Sequence, residues 1–127
     1  PSLLSLPYLG YCNADDSLYI STRKFVLSDA NPYYYKGTTA QGVGSPHTPK
    51  GYIWPIALCM QALTSTESTE ILDCLHLLTT THAGTFFMHE SFDPNTPDNF
   101  TRPWFAWANT LFASLLIKLK DEKLFEK

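Results

Sequence analysis

Apolar residues recur at helical spacing along most of the chain. This pattern predicts about five helical segments, at residues 2–12, 15–28, 53–64, 69–83 and 102–120. The last segment is the longest, and its apolar positions follow the i, i+3, i+4, i+7 order of an amphipathic helix. Because helical spacing dominates, we predict an all-α fold.

Residues with known positional preferences mark the ends of these helices. Asp15 and Asp16 suit the positive N-terminal end of a helix, and Pro55 is tolerated in a first turn. Gly84 is expected to end the fourth helix as its C′ residue. The fifth helix is expected to have Thr101 as its cap and Pro103 in its first turn. The second segment is expected to turn three apolar residues toward a core: Leu18, Phe25 and Val26.

The two central helices differ in a way that indicates their packing. Residues 53–64 are apolar almost all round, whereas residues 69–83 carry only a stripe, formed by Ile71, Cys74, Leu75 and Leu78. A helix that is apolar on every side is buried on every side, and a striped helix keeps one wet face. This alternation is typical of a two-layer ring of inner and outer helices. It favours an α/α toroid over an antiparallel bundle.

Two long segments separate the helices, at residues 29–52 and 84–101. Loops of this length are usually functional or disordered. They contain the aromatic runs Tyr33–Tyr35 and Phe86–Phe87, which are untypical of disorder. We therefore expect ordered loops that carry function.

Composition narrows the class of protein. The chain has 127 residues, 44% of them hydrophobic and 17% charged, which suits one small globular domain. The net charge is −3 and no basic stripe occurs, so nucleic acid is not an expected partner. No apolar run approaches the length of a membrane span. Three cysteines at long spacings, Cys12, Cys59 and Cys74, indicate buried thiols rather than a disulfide framework or a zinc site.

The first candidate site is the Gly- and Pro-rich run at residues 42–49. Its prolines stiffen a segment that presents Ser45, His47 and Thr48, a set of groups suited to hydrogen-bonding sugar hydroxyls. The alternative is that His47 merely fastens the loop. Trp54 follows directly and is either a core residue or a platform for a sugar ring, whereas Trp104 and Trp107 are expected in the core.

The second candidate site is the run Met88–Phe92, which contains His89 and Glu90. Glu90 is flanked by apolar side chains, and burying a carboxylate without partners is costly. An inverting glycosidase needs such a carboxylate as the base that activates water. His89 would hold Glu90 ionised or bind a sugar hydroxyl. The alternative is a loop carboxylate that accepts backbone N–H bonds at a helix start.

Other chemistries lack their sequence signatures. No His-Glu-x-x-His run occurs, and His82 and His89 are separated by a glycine break, so we predict no metal and no cofactor. The surroundings of Ser45 do not match the Gly-x-Ser-x-Gly elbow of serine hydrolases.

Several motifs, in order along nearly the whole chain, resemble glycoside hydrolase family 125, the metal-independent exo-α-1,6-mannosidases and their fungal relatives. The motifs are Leu4–Gly10, Thr22–Lys24 with Leu27-Ser28, Asn31–Tyr34, Gly44–Pro49, Tyr52–Pro55, Thr81–Thr85 and Met88–Phe92.

This resemblance implies an (α/α)6 barrel that hydrolyses α-1,6-linked mannose from a non-reducing end with inversion. It places the catalytic base on Glu90. Residues 1–127 would then be the C-terminal part of one catalytic domain, inactive alone, with the general acid outside this chain and the rest of the barrel needed for folding. The expected ligand is a mannose-containing glycan. The pocket for the terminal sugar would contain Ser45, His47, Thr48, Trp54 and His89.

The alternative function is a non-catalytic helical module that binds carbohydrate or another protein. It would use the same loops without hydrolysis. The discriminating feature is an aspartate, supplied by a longer chain, that faces the same cleft as Glu90.

Overall fold

The computed structural model describes residues 2–122, and this part of the chain is mainly helical. A 3-10 helix spans Leu3–Ser5. The four α-helices are α1 (Ser17–Val26), α2 (Pro55–Leu63), α3 (Ser68–Thr80) and α4 (Ala106–Asp121). Four short strands accompany them: β1 (Tyr34–Lys36), β2 (Gln41–Val43), β3 (Ser91–Phe92) and β4 (Phe100–Thr101). Across residues 2–122, no helix has the length and apolar character needed to cross a membrane.

Helix α2 lies at the centre of the core. It packs against both α3 and α4, and its residues Leu58, Cys59 and Ala62 are almost completely buried. On α3 the predicted stripe faces this core, because Ile71, Cys74 and Leu78 are buried while residues on its other side are exposed. The contrast between the all-apolar helix and the striped helix therefore predicted their burial correctly.

The two segments predicted as irregular loops contain short antiparallel ladders. Strand β1 pairs with β2, strand β3 pairs with β4, and an isolated bridge joins Ile53 to Phe92. The prediction of a helical fold is thus confirmed only in part, since small sheets are also present. Strands of two or three residues are too short to produce a period-two pattern in a sequence. Phe92 is nevertheless fully buried, so this ladder belongs to the core.

Two predicted helix ends were wrong. Helix α4 begins at Ala106, and Thr101 lies in β4, where its hydroxyl is 2.6 Å from the Ser91 hydroxyl instead of capping a helix. Thr101 therefore pairs with Ser91 of β3 and does not cap a helix. Helix α3 ends at Thr80, and Gly84 occupies the following turn with a φ of +72°. At the start of α1, by contrast, Asp16 accepts hydrogen bonds from two backbone N–H groups, as its position predicted.

The predicted core face of α1 was also wrong in part. Val26 is buried, but Leu18 and Phe25 are 76% and 51% exposed. The helix instead buries Tyr19, whose hydroxyl donates a 2.9 Å hydrogen bond to the carbonyl of Leu4 in the 3-10 helix. In residues 2–122, no other element covers the side of α1 that carries Leu18 and Phe25.

A polar network joins α1 to α2 and α3. The Arg23 guanidinium donates to the Thr64 hydroxyl, to the Gln61 carbonyl and to the Glu70 carboxylate, the last at 2.8 Å. Gln61 and Ser65 also donate to Glu70. Burial alone would raise the pKa of Glu70, but hydrogen bonds from Ser65, Gln61 and Arg23, together with the Arg23 charge, lower it below its usual value.

We expect Glu70→Gln to lower the free energy of unfolding at pH 7 by about 1–2 kcal/mol, because Arg23 loses its charged partner. A carboxylate whose folded pKa is lowered stabilises the protein above its ordinary pKa of 4.5 and loses this effect as the pH falls further. The difference from wild type should therefore shrink below pH 4.5. Urea unfolding at several pH values measures it, with exposed Glu67→Gln as the control; a pH-independent difference would contradict the assignment.

The three cysteines are all free, and two of them are buried in the core. Burial raises the pKa of Cys59 and of Cys74 to about 12 in each case. At pH 8 only about one in ten thousand of these thiols would be ionised. We expect a thiol-specific reagent to label half-buried Cys12 in the native protein and all three cysteines after unfolding. Peptide mass mapping distinguishes the sites, and fast native labelling of Cys59 would contradict the burial.

Candidate active site

Backbone pairing brings three distant segments together. Ile53 and Phe92 exchange two hydrogen bonds of 2.9 Å, so the start of α2 lies beside β3. On the other side of β3, Ser91 pairs with Thr101, and the Glu90 N–H donates to the Thr101 carbonyl at 3.1 Å. The same register extended by one residue sets Arg102 opposite Glu90.

Glu90 lies in this frame with its side chain only 16% exposed. Its Oε2 atom is 3.4 Å from Nε of Arg102. Within residues 2–122 the carboxylate accepts no backbone N–H bond, and it does not cap α4. The geometry therefore does not favour the alternative of a helix-start carboxylate.

His89 is buried, with 1% of its surface exposed. Its ring stacks flat on Phe100, with ring centroids 3.8 Å apart and planes 4° apart. Nδ1 is 2.8 Å from the carbonyl of Pro103, so this nitrogen carries a proton and donates it. The imidazole thus bonds to Pro103 rather than to Glu90. Nε2 is buried and has no hydrogen-bond partner in the part of the chain described.

The loop between β2 and α2 holds the other predicted polar residues. The Ser45 hydroxyl accepts the His47 N–H at 3.2 Å, and the Thr48 hydroxyl accepts the indole N–H of Trp54 at 2.9 Å. The His47 imidazole is exposed and makes no hydrogen bond within residues 2–122. The hydrogen bonds that hold this loop are therefore made by backbone N–H groups, hydroxyls and the Trp54 indole. They do not involve the His47 imidazole, in contrast to the alternative interpretation.

Aromatic rings extend from the loop toward Glu90. Trp54 is half-buried and meets the ring of Phe105 edge-on, with centroids 6.3 Å apart. Phe105 in turn contacts Trp107, at 5.6 Å. Trp104 and Trp107 were predicted as core residues, but they are 57% and 69% exposed. Trp104 precedes α4, and Trp107 lies on a different face of the helix from the buried residues Ala108, Leu115 and Leu119.

Arg102 is the residue of this site that the sequence analysis missed. Besides its contact with Glu90, its guanidinium carbon lies 6.0 Å from the centre of the Phe105 ring. Its φ is +46°, although a residue before proline normally adopts extended backbone. Such strain costs about 1–3 kcal/mol, whereas an ion pair with a 68% exposed arginine returns about 0–1 kcal/mol. The contact therefore does not offset the strain.

The contacts connect some predicted site residues more closely than others. A continuous series of contacts runs from Thr48 through Trp54, Phe105 and Arg102 to Glu90. His89 adjoins Glu90 in the chain, while Ser45 and His47 belong to the same loop as Thr48. Among residues 2–122, no three His, Cys, Asp or Glu side chains are grouped so that they could hold a metal ion.

Comparison with known proteins shows that the chain is part of a family of glycosidases. Residues 1–117 match the family described as metal-independent α-mannosidase, glycoside hydrolase family 125. Because the match covers most of the chain, the chain belongs to this family.

Two relatives show how much of a family member the chain represents. It is 50% identical over 124 residues to the meiotically up-regulated gene 157 protein of Schizosaccharomyces pombe, covering 97% of this chain and 24% of that protein. A solved metal-independent α-mannosidase of Streptococcus pneumoniae, in a non-productive complex with α-1,6-mannobiose, is 48% identical. That likeness has a TM-score of 0.93 and covers 95% of this chain and 28% of the solved chain. The chain thus spans about a quarter of the length of these relatives.

Proposed function

We propose that the chain is the C-terminal part of an (α/α)6 catalytic domain that removes terminal α-1,6-linked mannose with inversion. The observation that carries this proposal is the close likeness, in sequence and backbone, to the Streptococcus pneumoniae mannosidase in complex with α-1,6-mannobiose. A central helix buried by its neighbours, with an amphipathic helix beside it, also suits a ring of inner and outer helices.

In this proposal Glu90 is the general base. An inverting glycosidase places a carboxylate and a carboxylic acid about 6.5–9.5 Å apart, with water between the base and the sugar. The Glu90 side chain is only 16% exposed, and its Oε2 atom is in contact with Nε of Arg102. The base would take a proton from water as the water attacks the anomeric carbon. The acid that protonates the leaving oxygen would come from the remainder of the longer protein.

The residues around Glu90 would bind the terminal mannose. The buried Nε2 of His89 suits a hydrogen bond from a sugar hydroxyl, because its ring is held by Phe100 and Pro103. The Thr48 hydroxyl accepts from Trp54 and keeps its own proton to donate. Ser45 and His47 would supply further polar groups from the same loop. Trp54 would present an apolar ring to the C–H face of the sugar.

The test is mannose release from α-1,6-mannobiose by the full-length protein that carries this chain. We expect hydrolysis in the presence of a metal chelator, and proton NMR of early product should show β-mannose before it mutarotates. First-formed α-mannose would contradict inversion. Tight binding of mannobiose without hydrolysis would instead support the carbohydrate-binding alternative.

A further inference from the structure

The backbone at Arg102 has a conformation that its sequence does not favour. Three non-glycine residues in residues 2–122 have a positive φ: Ala83, Phe86 and Arg102. The first two lie in the turn after α3 and are not part of the series of contacts that ends at Glu90. Arg102 alone combines a positive φ with a following proline. Natural proteins keep such strain chiefly where it serves function.

Residues 102 and 103 contact the two residues that immediately precede β3, Glu90 and His89. The Arg102 guanidinium contacts Oε2 of Glu90, and the Pro103 carbonyl accepts a hydrogen bond from Nδ1–H of His89. The preceding residue, Thr101, is still paired in β4. A single change of backbone direction therefore supports both Glu90 and His89.

We propose that Arg102 is a positioning residue that fixes the Glu90 carboxylate for catalysis, and that the strained backbone is kept for this purpose. The inference rests on the proposed role of Glu90 as the base. Arg102 contacts Glu90 at the Oε2 atom of the carboxylate. An ion pair with an arginine that is 68% exposed adds little to the free energy of unfolding. The role that we infer for Arg102 is therefore to orient the Glu90 carboxylate rather than to stabilise the fold.

Arg102→Gly tests this inference because it removes the guanidinium and relieves the backbone strain together. Glycine adopts a positive φ freely, so the Tm of the full-length variant should equal or exceed that of wild type. The kcat on α-1,6-mannobiose should fall about 100-fold, the scale of a misplaced catalytic group, with KM nearly unchanged. Added guanidinium at low millimolar concentration should restore part of the activity.

Two further variants separate positioning from a structural role. Ala83→Gly relieves a comparable strain outside the site, so it should raise the Tm and leave kcat unchanged. Arg102→Lys keeps the charge but loses the planar fork, and its kcat should lie between those of wild type and Arg102→Gly. A kcat within twofold of wild type for Arg102→Gly would overturn the inference, as would a loss confined to KM.

The same experiments distinguish this inference from the proposed function. If Glu90→Gln is inactive while Arg102→Gly is fully active, the positioning role alone is overturned. If no sample hydrolyses mannobiose, the proposed function fails by itself, and a crystal structure of the full-length Arg102→Gly variant then tests the positioning of Glu90. We expect the Glu90 carboxylate to leave its wild-type position in that variant, and an unmoved carboxylate would overturn the inference.

Discussion

Replacing Glu90 by glutamine in the full-length protein should reduce kcat on α-1,6-mannobiose by about 10²–10⁴-fold. The amide keeps the size of the side chain but cannot accept a proton from water. KM should change less, since the sugar contacts proposed for Thr48, Trp54 and His89 remain. Release of mannose, measured by a coupled assay with purified wild type and variant, gives both constants.

The matched control is Asp98→Asn, the same exchange of carboxylate for amide at an exposed position between β3 and β4. It should leave kcat at the wild-type value. If Glu90→Gln retains wild-type activity, the base lies elsewhere and the proposed site is wrong. Comparable losses in both variants would point to damage to the β3–β4 ladder instead of removal of a base.

Gly44→Ala should destabilise the protein by about 3 kcal/mol, the upper end of the usual cost of overpacking. A Cβ atom at this position would lie 2.1 Å from the carbonyl oxygen of Tyr52 and 2.7 Å from the ring of Tyr35. The carbonyl cannot easily retreat, because the next residue, Ile53, is bound to Phe92 by two hydrogen bonds. The strain should also displace the loop that carries Ser45, His47 and Thr48, and so raise KM.

Chemical unfolding gives the free energy, and Gly10→Ala provides the control. Gly10 has a φ of +73°, but no atom lies within 4 Å of the place where a Cβ atom would stand, so alanine there meets only backbone strain of about 1 kcal/mol. The Gly10 variant should keep wild-type KM. If Gly44→Ala is no less stable than Gly10→Ala, then the close approach of Gly44 to Tyr52 does not constrain the loop.

The helices were predictable because each depends on local spacing. Segments 53–64 and 69–83 contain α2 and most of α3, and their apolar patterns correctly distinguished a surrounded helix from a half-exposed one. Their ends were less predictable, because capping residues also have other uses. Thr101 has the chemistry of a cap, yet it pairs with Ser91 across two strands.

The candidate site was predictable only as a set of separate motifs. Glu90 and His89 are polar residues within an apolar run, and Ser45, His47 and Thr48 share a stiff loop, so each group was predicted from its own local pattern. Arg102 gave no such signal, since Thr-Arg-Pro before an apolar stripe is typical of a helix start. Its contact with Glu90, a residue twelve positions earlier, depends on the pairing of β3 with β4.

Some features of this protein follow from its local sequence, and others depend on its tertiary structure. Helical periodicity, the burial of α2 and the residue types available for chemistry follow from the sequence, because they depend on the order of neighbouring residues. The β3–β4 ladder, the bridge between Ile53 and Phe92 and the left-handed backbone at Arg102 were decided by tertiary structure. The ladder and the bridge pair segments that are not adjacent in the chain, and packing and hydrogen bonding between such segments can outweigh the local preference of a single residue.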